Sequence, residues 1–181
     1  DQRLSRGLGD VYKRQNNHET HLKAFYHVES NSMLELEPPK HTRLRGLVLR
    51  AFTTRKINTI QPEIAALSYK LLDDLKSNNV DILKGFATQL PVIVIARLLG
   101  VPESMAQDLL SWSNDMVMMY QARRTKELEI KANSSTKEFV SFMEKYIEEK
   151  RYKPEDDLIS HLIAAEQEGD KLTKDELIST C

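Results

Sequence analysis

Apolar residues recur at helical spacing along most of this chain, and this periodicity limits the folds that are open to it. A helix has 3.6 residues per turn, so residues three or four apart share one face. The alternation at every second residue that marks half-buried strands is almost absent. The sequence therefore predicts an all-α fold. Its clearest stripe lies within 54–77 and comprises Ile57, Ile60, Ile64, Leu67, Leu71, Leu72 and Leu75.

The same spacing predicts seven helices. Pro91 interrupts the third, because proline removes a helical hydrogen bond, and Gly100 followed by Pro102 predicts its end. Thr173 and Glu176 have the spacing of a capping box at the start of the last helix. Leu172 and Leu177 have the spacing of its hydrophobic staple. The predicted helices span 39–52, 54–77, 80–102, 102–120, 126–150, 158–169 and a last segment from about Lys174.

Composition excludes several classes of protein. The net charge is −1 over 181 residues, which does not favour binding to nucleic acid or to an anionic membrane. The longest apolar stretch, 90–101, is too short to span a bilayer and contains Arg97. The single cysteine, Cys181, cannot form an internal disulfide and suits a reducing compartment. We therefore expect a cytoplasmic protein of one domain, or part of one.

Both ends of the chain have the pattern of a cut sequence. Residues 10–15 read DVYKRQ, which looks like the translation of a transposon end used to fragment DNA for sequencing. We expect residues 1–15 to be an adapter or flank artefact and residues 16–181 to be a partial domain. The last predicted helix begins only a few residues before Cys181, which predicts that the chain is a fragment.

The stretch 35–56, ELEPPKHTRLRGLVLRAFTTRK, carries the main functional signal. Two prolines predict an entry turn, and His41 and Arg45 then stack on one helix face with an apolar stripe of Val48, Leu49 and Phe52. Two cations on a face that points inward require a buried anion. That anion is either an internal Asp or Glu or a carboxylate on a cofactor.

Three stretches together resemble the bacterial cytochrome P450 haem-thiolate monooxygenases. EPPKHTRLRGLVLRAFTTRKI is similar to the C-helix signature of that family, and LPVIVIARLLGVPES at 90–104 resembles its E-helix and the turn into the F-helix. DDLISHLIAAEQEGDKLTKDELIST at 156–180 resembles the H-helix and the entry to the I-helix. The resemblance covers about 33–181. It implies a partial cytochrome P450 fold, truncated before the body of the I-helix and the loop that carries the cysteine ligand.

The resemblance also implies roles for individual residues. His41 and Arg45 match the family positions that bind a propionate of haem. The parent protein would insert one oxygen atom of O2 into a small apolar organic substrate, using electrons from a ferredoxin-type donor. The C-helix borders the redox-partner face of the family, so Lys40, Arg43 and Arg50 are candidates for docking that donor.

The family's chemistry depends on a cysteine thiolate that binds the iron. Cys181 matches an ordinary position at the entry to the I-helix, because no glycine-rich loop surrounds it. We therefore expect no axial ligand and no catalytic residue in this chain, and we expect the chain alone to be inactive.

Methionine and histidine groups offer weaker candidates. Met116 and Met119 fall at the end of the segment that covers the substrate pocket in the family, although ordinary core packing explains them equally well. His18, His21 and His27 have the composition of a metal cluster, but no acid or cysteine ligand is suitably spaced. We expect them to be solvated and expect no metal site.

A helical module that binds nucleic acid or a protein partner is the alternative. Its support is the segment 40–56, which has six Lys or Arg residues and no acid and would suit a phosphate backbone. The near-neutral net charge and the absence of a helix-turn-helix pattern count against this alternative.

Overall fold

The computed structural model describes residues 20–51, 54–75, 80–167 and 172–181, and within them it contains helices and no strand. This confirms the all-α prediction. A 3₁₀ turn, Thr20–Leu22, precedes α1; a π-helical turn, Leu83–Ala87, precedes α4; and the 3₁₀ turns Glu103–Met105 and Met118–Tyr120 flank α5. The α-helices of the described residues are α1 (Lys23–Glu29), α2 (Lys40–Ala51), α3 (Thr54–Asp74), α4 (Gln89–Leu99), α5 (Ala106–Val117), α6 (Lys126–Tyr152), α7 (Leu158–Gln167) and α8 (Lys174–Thr180).

The predicted helices agree with α2 to α8 to within a few residues at most ends. The third predicted helix is interrupted as expected: a π-helical turn ends at Ala87, and α4 then holds Pro91 in its first turn. Helix α1 was not predicted. The predictions for residues 1–15, His18, Phe52 and the end of the second predicted helix at 77 lie outside the described residues.

Helix α6 lies at the centre of the fold and contacts α1, α5, α7 and α8. Thr125 caps its start by accepting a hydrogen bond from the amide of Leu128 at 3.3 Å. Acidic residues occupy its first turn and basic residues its last turn, which complements the helix dipole. Its buried face is Ala132, Thr136, Phe139, Met143 and Ile147.

The described residues bury two separate apolar clusters. The larger one joins α2, α6, α7 and α8 through side chains such as Leu44, Met143, Leu162 and Leu177. The smaller one holds α1 against the centre of the fold and consists of Leu22, Phe25, Met119 and Ala132. Helix α1 is therefore attached through an apolar cluster of its own.

A polar junction joins the end of α4 to α6 and α7. Gly100 ends α4 in the left-handed conformation, with φ of 81°, and its carbonyl oxygen accepts a hydrogen bond from the Tyr146 hydroxyl. Lys150 is buried against Asp157, with 2.6 Å between Nζ and Oδ2. Asp157 also caps the start of α7 by accepting from the Ser160 amide at 2.8 Å.

Helix α4 is nearly apolar all round, yet the described chain covers only part of it. Ala96 and Leu99 are buried, whereas Ile95 is 53% exposed, and Leu83 in the preceding turn is 68% exposed. None of the helices in the described part of the chain combines the length and hydropathy that crossing a bilayer requires.

Candidate functional site

Helix α2 carries the predicted site and is seated on α7 by its apolar face. Leu44, Leu47 and Ala51 are the buried residues of this face. The helix follows the Pro38–Pro39 pair, so the predicted entry turn precedes it as expected, and no acidic residue occupies its first turn. An isolated helix of 12 residues is marginal in water, so burial against α7 stabilises this one.

His41 and Arg45 lie on a flank of α2, since successive residues advance by about 100°. His41 is roughly a quarter-turn and Arg45 roughly a third of a turn from the buried face. His41 is half-buried and Arg45 is exposed. The prediction that their face points into the core of this chain is therefore wrong. Val48 is half-buried and Leu49 is 59% exposed, so the buried stripe is Leu44, Leu47 and Ala51 instead.

The side chains of His41 and Arg45 make no hydrogen bond or ion pair with any residue in the described part of the chain. An internal Asp or Glu among those residues is thus excluded as the anion that the pair holds. A guanidinium offers two parallel donors to a carboxylate, and an imidazole one turn away adds another. The exposed Leu49 lies beside them, so this flank fits a group that has both carboxylates and an apolar body. Haem has this chemistry, because its propionates are carboxylates and its ring is largely apolar.

Arg43 lies on the opposite flank of α2 and forms an ion pair with Glu176 in the first turn of α8. The side chain of Glu176 is only 10% exposed. Burial by itself raises the pKa of Glu176, but hydrogen bonds from the Thr173 amide and from Arg43 outweigh burial and hold that pKa below its ordinary value. Glu176 is therefore a buried carboxylate with two donors.

Comparison with known proteins identifies the fold. No protein-family model matches the chain. The polyketide biosynthesis cytochrome P450 PksS of Bacillus subtilis is 38% identical over 180 residues, which cover 99% of this chain and 43% of that protein. The 6-deoxyerythronolide B hydroxylase of Saccharopolyspora erythraea is 37% identical over 145 residues, which cover 79% of this chain and 35% of that enzyme.

A solved structure of P450BioI, in complex with acyl carrier protein carrying hexadec-9Z-enoic acid, superposes with a TM-score of 0.83 at 30% identity. The match covers 91% of this chain and 42% of that chain. The chain belongs to the cytochrome P450 family. It spans between 35% and 43% of the length of these relatives. Its helices form a partial cytochrome P450 fold, as the resemblance implied, and the nucleic-acid alternative gains no support.

The three predicted docking residues of this cytochrome P450 chain differ in their surroundings. Lys40 and Arg50 are exposed at the two ends of α2. The Arg43 guanidinium is bound to Glu176, and its side chain is 36% exposed, which counts against a docking role for it. Docking of an electron donor by Lys40 and Arg50 stays a prediction.

The methionine candidates lie inside the described fold. Met119 is 2% exposed and belongs to the smaller apolar cluster, while Met116 packs against both clusters. Core packing accounts for both side chains, and a substrate contact by Met116 or Met119 stays a prediction. Cys181 packs against the larger cluster, where burial raises the pKa of its thiol to about 12.

Two of the histidines have specific partners that sequence reasoning missed. His21 Nε2 lies 3.0 Å from Glu129, and His27 Nε2 lies 3.2 Å from Asp175. The expectation of a solvated side chain holds for His27, which is 57% exposed, whereas it is wrong for His21, which is 30% exposed and contacts a largely buried carboxylate. These partners are about 110 or more positions away in sequence, so no local pattern could have indicated them.

Proposed function

We propose that the chain is the middle part of a cytochrome P450 monooxygenase in which His41 and Arg45 bind a haem propionate. One observation carries this proposal: two cations one turn apart make no polar contact with the described chain, at the position of the family's C-helix signature. Haem, when bound, supplies the redox chemistry that inserts one oxygen atom of O2 into an organic substrate. The contribution of His41 and Arg45 is to neutralise and orient a carboxylate.

The thiolate ligand of the iron comes, in this proposal, from a part of the protein outside residues 1–181. Cys181 follows the last turn of α8, packs against the larger apolar cluster and has no glycine-rich loop around it, which supports a ligand elsewhere. We also propose that residues 1–15 derive from an adapter. The catalytic residues, like the thiolate ligand, would come from outside residues 1–181. The chain alone would then be inactive.

The substrate and partners follow from the family and from the names of the relatives. PksS is named for polyketide biosynthesis and the second relative for hydroxylation of 6-deoxyerythronolide B, which favours an apolar polyketide or acyl substrate. We propose a ferredoxin-type electron donor that docks on α2 through Lys40 and Arg50. A single cysteine in the chain supports a cytoplasmic location.

Haem retention in the full-length gene product tests the proposal. We expect the full-length protein to show the reduced carbon-monoxide spectrum of a thiolate-ligated haem. Arg45→Ala and His41→Ala should each release haem to apomyoglobin faster than the parent protein. Thr42→Ala, a change at an exposed position between them, is the matched control and should leave the release rate unchanged. A thiolate-type spectrum from residues 1–181 alone would contradict the proposal, as would unchanged haem release in both variants.

A further inference from the structure

The first turn of α8 is joined by ion pairs to three other helices. Lys174 Nζ lies 2.9 Å from Glu144 of α6, and Asp175 lies 3.2 Å from His27 of α1. Glu176, the next residue, pairs with Arg43 of α2. The side chains of the first two pairs are about half-exposed, so these pairs contribute little to the stability of the fold. In the third pair the Glu176 side chain is only 10% exposed, so this pair is the least screened by solvent.

Glu176 is held in place before it meets Arg43. Its Oε2 accepts a hydrogen bond from the Thr173 amide at 2.8 Å, and the Glu176 amide donates to the Thr173 hydroxyl at 3.2 Å. This capping box fixes the carboxylate relative to α8. Oε1 is then directed at the Arg43 guanidinium. A guanidinium bound to a fixed carboxylate has little freedom left.

The position of Arg43 on α2 determines what this contact can do. The apolar contacts of Leu44, Leu47 and Ala51 are non-directional and allow a helix to turn slightly about its axis. A directional bond on one flank removes that freedom. His41 and Arg45 lie on the other flank, two residues to either side of Arg43. A rotation of α2 would therefore change where both side chains present their donors to a carboxylate.

We propose that Arg43 and Glu176 are positioning residues that fix the rotation of α2 and thereby direct His41 and Arg45 toward the haem propionate. The proposal depends on the function proposed above. Arg43 is then a link between α2 and α8 rather than a docking residue for the electron donor.

The test uses the full-length holoprotein and the variants Glu176→Gln and Arg43→Gln. Glu176→Gln keeps the size of the side chain, Arg43→Gln shortens it, and each removes one charge of the pair. We expect haem release to apomyoglobin to become about tenfold faster, as loss of an outer contact does at other metal centres. We also expect the haem midpoint potential to fall, because a cation held close to the haem favours the reduced state. The double variant should be no worse than the worse single variant.

Matched control variants distinguish a specific effect on the orientation of α2 from a general loss of protein stability. Lys174→Met and Asp175→Asn break the other two ion pairs of the same turn and should leave haem release and potential unchanged. Gly100→Ala strains the α4–α7 junction at Asp157 and changes no side chain on α2 or α8, so it should lower the thermal midpoint without lowering the potential. Arg43→Lys, which keeps the charge, should restore part of the parent behaviour.

The outcomes distinguish this inference from the proposed function. If Arg45→Ala accelerates haem release and Glu176→Gln does not, the positioning inference is wrong and the haem clamp stands. If Glu176→Gln changes haem release only as much as Gly100→Ala does, Glu176 is merely structural and the inference is also wrong. If neither Arg45→Ala nor His41→Ala accelerates haem release, the clamp and the inference fail together.

Discussion

Gly100 meets two separate requirements, and each excludes a side chain. Its φ of 81° lies in the left-handed region, and a Cβ there would collide with the Asp157 carboxylate. We expect Gly100→Ala to lower the free energy of unfolding by about 2–4 kcal/mol. Gly46→Ala is the matched control, because nothing lies within 4 Å of its Cβ position and the residue is helical. It should be neutral or slightly stabilising. Urea midpoints of the full-length variants measure both, and equal midpoints would contradict the prediction.

Lys150 and Asp157 form a buried ion pair, and each of the two charges is compensated by the other. Burial lowers the pKa of Lys150, but hydrogen bonds to Asp157 and Glu155 outweigh burial and raise that pKa above its ordinary value. A raised pKa contributes stability that is present below the ordinary lysine pKa and is lost as pH rises through the folded value. Lys150→Met leaves Asp157 charged and unpaired, so we expect a loss of about 3–5 kcal/mol.

The double variant Lys150→Met/Asp157→Asn is the control for this pair. Asparagine still caps α7, and no buried charge remains. We expect the double variant to unfold at a higher urea concentration than Lys150→Met alone. A double variant that is less stable than the single one would show that the Asp157 charge is not what makes Lys150 necessary.

The position of a residue on its helix could be predicted from sequence more readily than its burial or its contacts. The spacing of His41 and Arg45 correctly placed both on one side of a helix, and Gly100 correctly ended α4. Their burial could not be predicted, because it depends on which face of α2 meets α7. The partner of Arg43 could not be predicted either, since Glu176 lies 133 residues away.

Among the elements, helix starts and stops followed local rules, whereas α1 did not. The capping box at Thr173 is present, and Leu172 and Leu177, the predicted staple, are both fully buried in the larger cluster. Helix α1 has seven residues, no acid in its first turn and no side-chain cap at Leu22. So short a helix forms only through tertiary contacts. Local sequence therefore carries little signal for it.

Asn133 supplies the cap that α1 lacks in its own sequence. The Asn133 side-chain oxygen accepts hydrogen bonds from the amides of Ala24 at 2.9 Å and Phe25 at 3.2 Å. Asn133→Ala leaves these donors unsatisfied, so we expect a loss of about 1–3 kcal/mol that is confined to α1. Hydrogen exchange should show faster exchange for the amides of α1 and unchanged protection at the C-terminal end of α6. Ser134→Ala, at the exposed neighbouring position, should change neither.

At the scale of the whole molecule, the described fold leaves large apolar side chains exposed to water on α4 and on the turn that precedes it, a region called here the α4 end. Leu83 is 68% exposed, Ile95 53% and Ile82 50%, although the sequence of α4 predicts burial on all sides. Large apolar side chains that are left in water promote association. We expect the isolated 181-residue chain to be marginally folded and to self-associate as its concentration rises, as measured by sedimentation velocity and dye binding.

Charged substitutions locate the surface that is responsible. Leu83→Glu and Ile95→Glu should shift the isolated chain toward the monomer, because a charge in an apolar contact must be desolvated. Tyr152→Glu is the control: Tyr152 is 94% exposed at the end of α6 and should not change the association. A monomeric chain that unfolds cooperatively would contradict the prediction, and so would an equal effect of all three substitutions. Association that depends on Leu83 and Ile95 would identify the α4 end as the surface that the rest of a longer cytochrome P450 covers.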